Sequence, residues 1–355
     1  MNEMTKTNPG ISNYMDQVNY PRNTWWVAAV SGEVTREPLQ RTMLDRPIVL
    51  YRTESGEAVA LDDRCPHRWA PLSAGKLFGD DIECPYHGIR FGPDGNCTKI
   101  PSQDNIVKGC EVHAYPLIEK PPFVWIWMGD PARIDDYDPP ADLDWVNDSS
   151  STISGGVMEV DCNYMLIHDN LMDLTHFCFV HRDTLEVTDW IKPPKSIVSD
   201  TRVVMRQDFP ERYLIPLVAE VTGIGRDRWV KFGNESRWES PALNTGAEYI
   251  EDVNGPEGSR RKYQYNILHI PTPINMRKTR YYFFEGWDFE HDKPTGFNPD
   301  FIHPVFLEDK VMLEDVQRMV DERDSRGMNY PEIKIKADTP QLHARQKLKA
   351  LLDRE

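Results

Sequence analysis

The chain has 355 residues, 39 % of them hydrophobic and 10 % aromatic, which is enough for two packed cores and excludes a disordered class. Acidic residues outnumber basic ones by 57 to 41, a formal charge of −16 that argues against nucleic acid or an anionic membrane as partner. Residues 1–19 have no apolar signal segment and no run reaches the roughly 18 apolar residues of a membrane span, so a cytoplasmic protein is expected, its six cysteines thiols or metal ligands rather than disulfides.

The 28 prolines point to a loop-rich β framework in the first part of the chain. Residues 47–52, the turn 54–57 and residues 58–61 carry a hairpin signature. A second turn, Gly92-Pro93-Asp94-Gly95-Asn96, follows Ile89-Arg90-Phe91, and residues 122–129 read as one buried strand closed by glycine. A segment rich in proline and aspartate, residues 130–144, marks the expected junction between domains at 1–150 and 151–355. Beyond it come a helical stretch at 163–176, strands such as 280–287, and a final helix at about 304–326. Residues 244–262, polar and glycine-containing, read as a long surface loop.

Cys65-Pro66-His67 and Cys84-Pro85-Tyr86-His87 form a C-x-H and C-x-x-H pair separated by sixteen residues. Each segment offers one sulfur and one nitrogen, the donor set of a [2Fe–2S] cluster with two thiolates on one iron and two imidazoles on the other. Two thiolates balance the oxidised core, where four would leave it dianionic, so the mixed site accepts an electron more readily. The flanking prolines and Gly88 suit two tight loops. Structural zinc also takes Cys₂His₂, but zinc fingers group cysteine with cysteine and histidine with histidine, whereas here they interleave. Cys97, Cys110, Cys162 and Cys178 have no histidine at matching spacing and are expected to be buried thiols.

His176 and His181 are five residues apart, about 500° of turn on an unbroken helix, so the second must reach back from irregular chain to meet the first. Asp173 precedes His176 by three residues, where its carboxylate would accept a hydrogen bond from the non-ligating ring nitrogen, and Asn170 lies one turn further back. A facial triad for iron(II) needs one more carboxylate. On the last helix Ile302, Val305, Phe306, Met312, Leu313, Val316 and Val320 fall within an arc of roughly 120°. Asp309 is the carboxylate inside that arc, while Glu308, Glu314 and Asp315 lie outside it. A carboxylate in an apolar stripe needs a buried partner, which makes Asp309 the expected third ligand. The remaining histidines, His113, His168, His269, His291, His303 and His343, have no comparable setting and are expected in structural or surface roles.

With these motifs the chain resembles the oxygenase components of Rieske non-haem iron oxygenases, especially the vanillate O-demethylase group. The likeness includes residues 20–26, 65–73, 169–176 and 306–310. It implies an α+β chain: an N-terminal all-β Rieske domain and a C-terminal helix-grip domain, an antiparallel sheet around a long helix that encloses the iron. It further implies a head-to-tail homotrimer in which an electron crosses between subunits through His87 and Asp173 to His176. A separate reductase of flavin or ferredoxin type would supply electrons from NAD(P)H, since no dinucleotide fingerprint is present here. Residues 244–262 fall where family members build part of the substrate pocket. The expected reaction uses dioxygen to O-demethylate a small methoxybenzoate-like acid, with ring or methyl hydroxylation as the alternative. A bare Rieske electron carrier would need only the first domain and leaves His176, His181 and Asp309 without a purpose.

Overall fold

A computed structural model of the chain describes residues 19–147, 152–214, 219, 224–225, 227–254, 262–287, 296–297, 304–328 and 332–355. The expected domain junction at residue 150, the N-terminal segment before residue 19, Ile302, His291 and His303 lie outside the described residues.

The apolar run Trp25–Val30 forms β1, buried at all six positions. Three sheets organise the described N-terminal part. β2 (Leu39–Met43), β3 (Arg46–Arg52) and β4 (Ala58–Asp62) make a meander in which Arg52 pairs with Ala58, as the hairpin pattern predicts. β5 (Lys76–Phe78), β6 (Asp81–Glu83), β7 (Arg90–Phe91) and β8 (Cys97–Lys99) form a small sheet in that order. The β7–β8 turn requires glycine at position 95, where φ is +80° and an added Cβ would meet the Val112 carbonyl oxygen at 2.1 Å. β9 (Leu117–Lys120) then pairs with β10 (Phe123–Trp127), and β10 with β1.

Among the described residues the C-terminal part is built on one eight-stranded sheet. β11 (Thr152–Val160), β12 (Lys195–Val198), β13 (Val203–Tyr213), β14 (Trp229–Ser240), β15 (Leu243–Asp252), β16 (Lys262–Asn275), β17 (Lys278–Trp287) and β18 (Gly296–Phe297) lie in the order β12-β13-β14-β15-β16-β17-β11-β18. All its pairs are antiparallel except β11 with β18. The reading of 244–262 as a surface loop is corrected here: its first half is β15, paired on both sides. Polar Asn244 occupies a fully buried position there, which breaks the apolar alternation that identifies a strand in sequence.

Helix α1 (Tyr164–Leu171) is capped by Asn163, whose side chain accepts from Met165 N–H at 2.9 Å. The single helix expected over 163–176 breaks after Leu171, because Asp173 caps a separate 3₁₀ turn, Leu174–Cys178. A short α2 (Arg182–Leu185) follows His181. The long helix α3 (Pro304–Ser325) lies on the sheet through Phe306, whose ring is 4.4 Å from Phe283. Its buried row is Phe306, Asp309, Leu313 and Gln317, narrower than the arc read from sequence: Met312 and Val316 are exposed. A last helix, α4 (Thr339–Leu352), was not anticipated; it buries Ala344 and Leu348, and its Arg345 ion-pairs with Asp169 of α1.

The largest core joins the two parts. Trp26 meets Tyr164 at 5.6 Å and Phe123 meets Phe284 at 5.1 Å, both edge to face, and Thr272 Oγ1 donates to the Val27 carbonyl. No described helix is long and apolar enough to cross a membrane.

Candidate metal centres

The two cysteine loops fold alike. Cys65 N–H donates to the Ala70 carbonyl and Trp69 N–H returns to Cys65; Cys84 N–H donates to Ile89 and Gly88 N–H returns to Cys84. The fifth residue of each loop has positive φ, +63° at Trp69 and +69° at Gly88. These hairpins bring the Cys65 and Cys84 thiols into hydrogen-bond contact and set the rings of His67 and His87 4.5 Å apart. Both sulfurs are buried and both imidazoles exposed. Burial pushes the Cys65 thiol up to about 11, with its hydrogen bond to Cys84 adding to the rise, so an ionised pair needs a cation to hold it. Two sulfurs beneath and two nitrogens at the surface fit the mixed-ligand cluster. Of the other cysteines, Cys97 is half-buried and Cys110, Cys162 and Cys178 are buried; all are free thiols.

His176, His181 and Asp309 come together from the 3₁₀ turn, the start of α2 and α3, with one donor atom of each within 4.8 Å of the others. Asp309 Oδ1 stands 3.4 Å from His176 Nε2 and 3.2 Å from His181 Nε2. Burial disfavours the Asp309 charge, but the two histidine rings beside it hold the carboxyl well below the usual range. Each ring has its outer nitrogen engaged, which leaves Nε2 facing inward. His176 Nδ1 is 2.5 Å from the Asp173 carbonyl oxygen, and His181 Nδ1 is 2.8 Å from Glu308 Oε2. His181 Nε2 is fully buried with no hydrogen-bond partner among the described residues, the condition that a metal ion would satisfy.

The structure corrects two details of the sequence reading. Asp173 does not orient His176 with its carboxylate; its backbone carbonyl does. The carboxylate oxygen Oδ1 accepts instead from Thr175 N–H at 2.9 Å and Thr175 Oγ1 at 2.7 Å, because Asp173 is the cap of the turn. The carboxylate behind a ligand is Glu308, on the ring of His181, and its position beside Asp309 on α3 is the signal that could have found it. Asn170 is at the centre, its Nδ2 3.0 Å from Asp309 Oδ1 and 3.3 Å from His176 Nε2. His269, expected in an ordinary structural role, is buried near the centre, against Tyr281 and the Phe306 ring one turn before Asp309.

Comparison with known proteins agrees with both centres. The Rieske [2Fe-2S] domain family matches residues 24–116, and the vanillate O-demethylase oxygenase C-terminal domain family matches residues 160–354. The toluene-4-sulfonate monooxygenase system iron-sulfur subunit TsaM1 of Comamonas testosteroni is 33 % identical over 348 residues, covering 94 % of this chain and 97 % of that protein. The dicamba O-demethylase oxygenase component of Stenotrophomonas maltophilia is 34 % identical over 310 residues, 85 % of this chain and 89 % of that one. A crystal structure of dicamba monooxygenase bound to 3,6-dichlorosalicylic acid superposes with a TM-score of 0.83 at 29 % identity over 95 % of this chain and 98 % of the other. Dicamba monooxygenase has also been solved with non-haem iron and dicamba, at a TM-score of 0.77 and 29 % identity, over 95 % of this chain and 99 % of that one. A family match over more than half the chain, on a fold that builds a Rieske site and a separate His₂Asp iron site, leaves one assignment: the chain belongs to the Rieske non-haem iron oxygenases of the vanillate O-demethylase type, as the terminal oxygenase component.

Proposed function

We propose that this chain O-demethylates a small methoxylated aromatic compound, with Cys65, His67, Cys84 and His87 holding the cluster. The observation that carries the reading is the placement of the His176–His181–Asp309 centre against an aromatic sheet face, Tyr281 and Phe283, in a chain similar to a dicamba O-demethylase. When bound, the cluster delivers electrons and the iron activates dioxygen. The protein's share is positional. Glu308 and the Asp173 carbonyl fix the two imidazoles with Nε2 toward Asp309, and Asn170 holds Asp309 Oδ1 from the side. Hydroxylation of the methoxy carbon gives a hemiacetal that collapses to formaldehyde and a phenol. Toluene-4-sulfonate monooxygenase relatives favour a second reading, hydroxylation of a methyl group or of the ring. Oxygen uptake with a surrogate reductase across aryl methyl ethers separates them: formaldehyde matching phenol formed supports demethylation, and its absence with every ether refutes it.

The electron path belongs to the same proposal. A homotrimer would place His87 of one subunit against Asp173 of the next, fed by a reductase of flavin or ferredoxin type that draws on NAD(P)H. Three features support it. The cluster's imidazoles face solvent; Asp173 Oδ2 makes no hydrogen bond among the described residues; and large exposed side chains, Trp69 and Tyr86 near the cluster and Phe179 near the iron ligands, flank both centres.

A further inference from the structure

The inner face of the catalytic sheet carries two carboxyls that the metal chemistry does not use. Glu248 on β15 pairs across with Asn234 on β14 and with Tyr265 on β16, and Tyr265 in turn pairs with Trp287 on β17. Directly paired residues project to one face, and Glu285, two before Trp287, shares it. That face is the iron's. Phe283, two before Glu285, packs on Phe306, one turn from Asp309, and Asn244 on β15 pairs with His269.

Glu285 is buried, Glu248 and Tyr265 are half-buried, and these polar groups are incompletely satisfied. Tyr265 hydrogen-bonds to Glu285, while Glu248 has no hydrogen bond or ion pair among the described residues. Independently of the carboxyls, Asn234 and Asn244 are 1 % and 0 % exposed, and both amide atoms of each lack a partner among the described residues. Buried amides are almost always bonded, so four orphaned atoms on one face point to a bound polar molecule. The cation beside Glu248 is Arg212, whose Nη2 ion-pairs with Asp189 at 3.0 Å and whose guanidinium stacks over Phe209 at 5.0 Å, while its Nη1 is buried with no hydrogen-bond partner among the described residues. An anionic substrate would therefore meet two acids and one cation whose charge Asp189 already balances.

We propose that Glu248 and Glu285 select an aromatic substrate bearing an uncharged hydrogen-bond donor, such as a phenol, alcohol or amide, over a benzoate-type anion. The inference rests on the aryl-ether reading above and replaces the methoxybenzoate-like acid expected from the family likeness with an uncharged aryl ether. Burial pushes both carboxyls up to about 7, so their charge varies across the working range. The groups facing them are Arg212 with its Asp189 from the β13 side, Tyr265 and His269 from β16, Tyr281 from β17, and Asp309 from α3. His269 is held neutral by burial, its pKa lowered to about 3, and burial keeps the two tyrosines protonated.

The test is binding of meta-methoxybenzamide and meta-methoxybenzoate to the iron-loaded protein by equilibrium dialysis, at about pH 8 and about pH 6. The amide is expected to bind at least ~10-fold tighter at the higher pH, with the gap narrowing at the lower pH as the carboxyls protonate while the benzoate stays ionised. In Glu248→Gln and Glu285→Gln, each close in size to the native residue, the benzoate gains affinity and the gap shrinks. The proposal is overturned if the benzoate binds as tightly as the amide at about pH 8, if neither substitution changes the preference, or if neither probe binds. Formaldehyde release is scored separately. A bound amide that yields none counts against demethylation and leaves the selectivity standing.

Discussion

Replacing Glu308 by alanine removes the carboxylate that fixes His181, and the size of the effect can be worked from the contact. The Glu308–His181 hydrogen bond is 2.8 Å long; the ring is fully buried and the carboxylate side chain 31 % exposed. A hydrogen bond to a charged group contributes about 1.5–3 kcal/mol. Because a third of the carboxylate remains in water, the lower half of that range applies, about 1.5–2 kcal/mol, or roughly 10–30-fold in iron affinity. Thr184 also bonds to Glu308, so glutamine there, which still accepts from the ring, should lose less than alanine. The assay is iron retained after dialysis against a graded chelator, with the Rieske absorption as internal reference. Unchanged iron affinity in Glu308→Ala would refute the assignment of Glu308 as the group that orients His181.

Other substitutions separate positioning from packing. Asp173→Asn should leave iron content intact, since the backbone carbonyl holds His176, yet slow cluster-to-iron electron transfer at least ~10-fold in single-turnover experiments. Phe306→Ala empties a site packed against Phe283 and Tyr281 and should destabilise the fold by about 3–5 kcal/mol in denaturant titrations. Arg345→Met leaves Asp169 as a buried charge without its partner and should cost about 3–5 kcal/mol by the same measurement. Burial lowers His168 to about 4 and His269 to about 3, so the unfolded chain binds more protons than the native one below about pH 6.5. Their contribution to stability is complete above that pH and is lost as pH falls toward 3–4, by about 2 kcal/mol each at about pH 5. His168→Gln should remove about half of that slope in thermal melts.

The cluster motif was legible because its four donors sit in two short loops whose glycine and prolines announce the turns. The iron site was legible for a different reason: a carboxylate in an apolar helical arc has few physical explanations, and Asp309 is buried as that argument requires. The arc itself was too wide. Met312 and Val316 are apolar yet exposed, which periodicity cannot distinguish from core. The roles of Asp173 and Glu308 were not legible, because whether a side chain or a carbonyl meets a ring depends on where α1 breaks, and the break at Met172 is set by the capping of the next turn. The strand β15 was hidden by its inward polar residues. Asn244 and Glu248 read as loop because they line a site rather than a core.

Two iron centres in one chain make a countable difference, which metal analysis with paramagnetic resonance reads out. The wild-type protein should contain about three irons per chain and show a Rieske signal on reduction. Asp309→Ala should fall to about two, with that signal unchanged and oxygen uptake abolished. A variant that keeps the third iron, or a wild-type protein that carries zinc and no Rieske signal, would contradict the two-centre assignment.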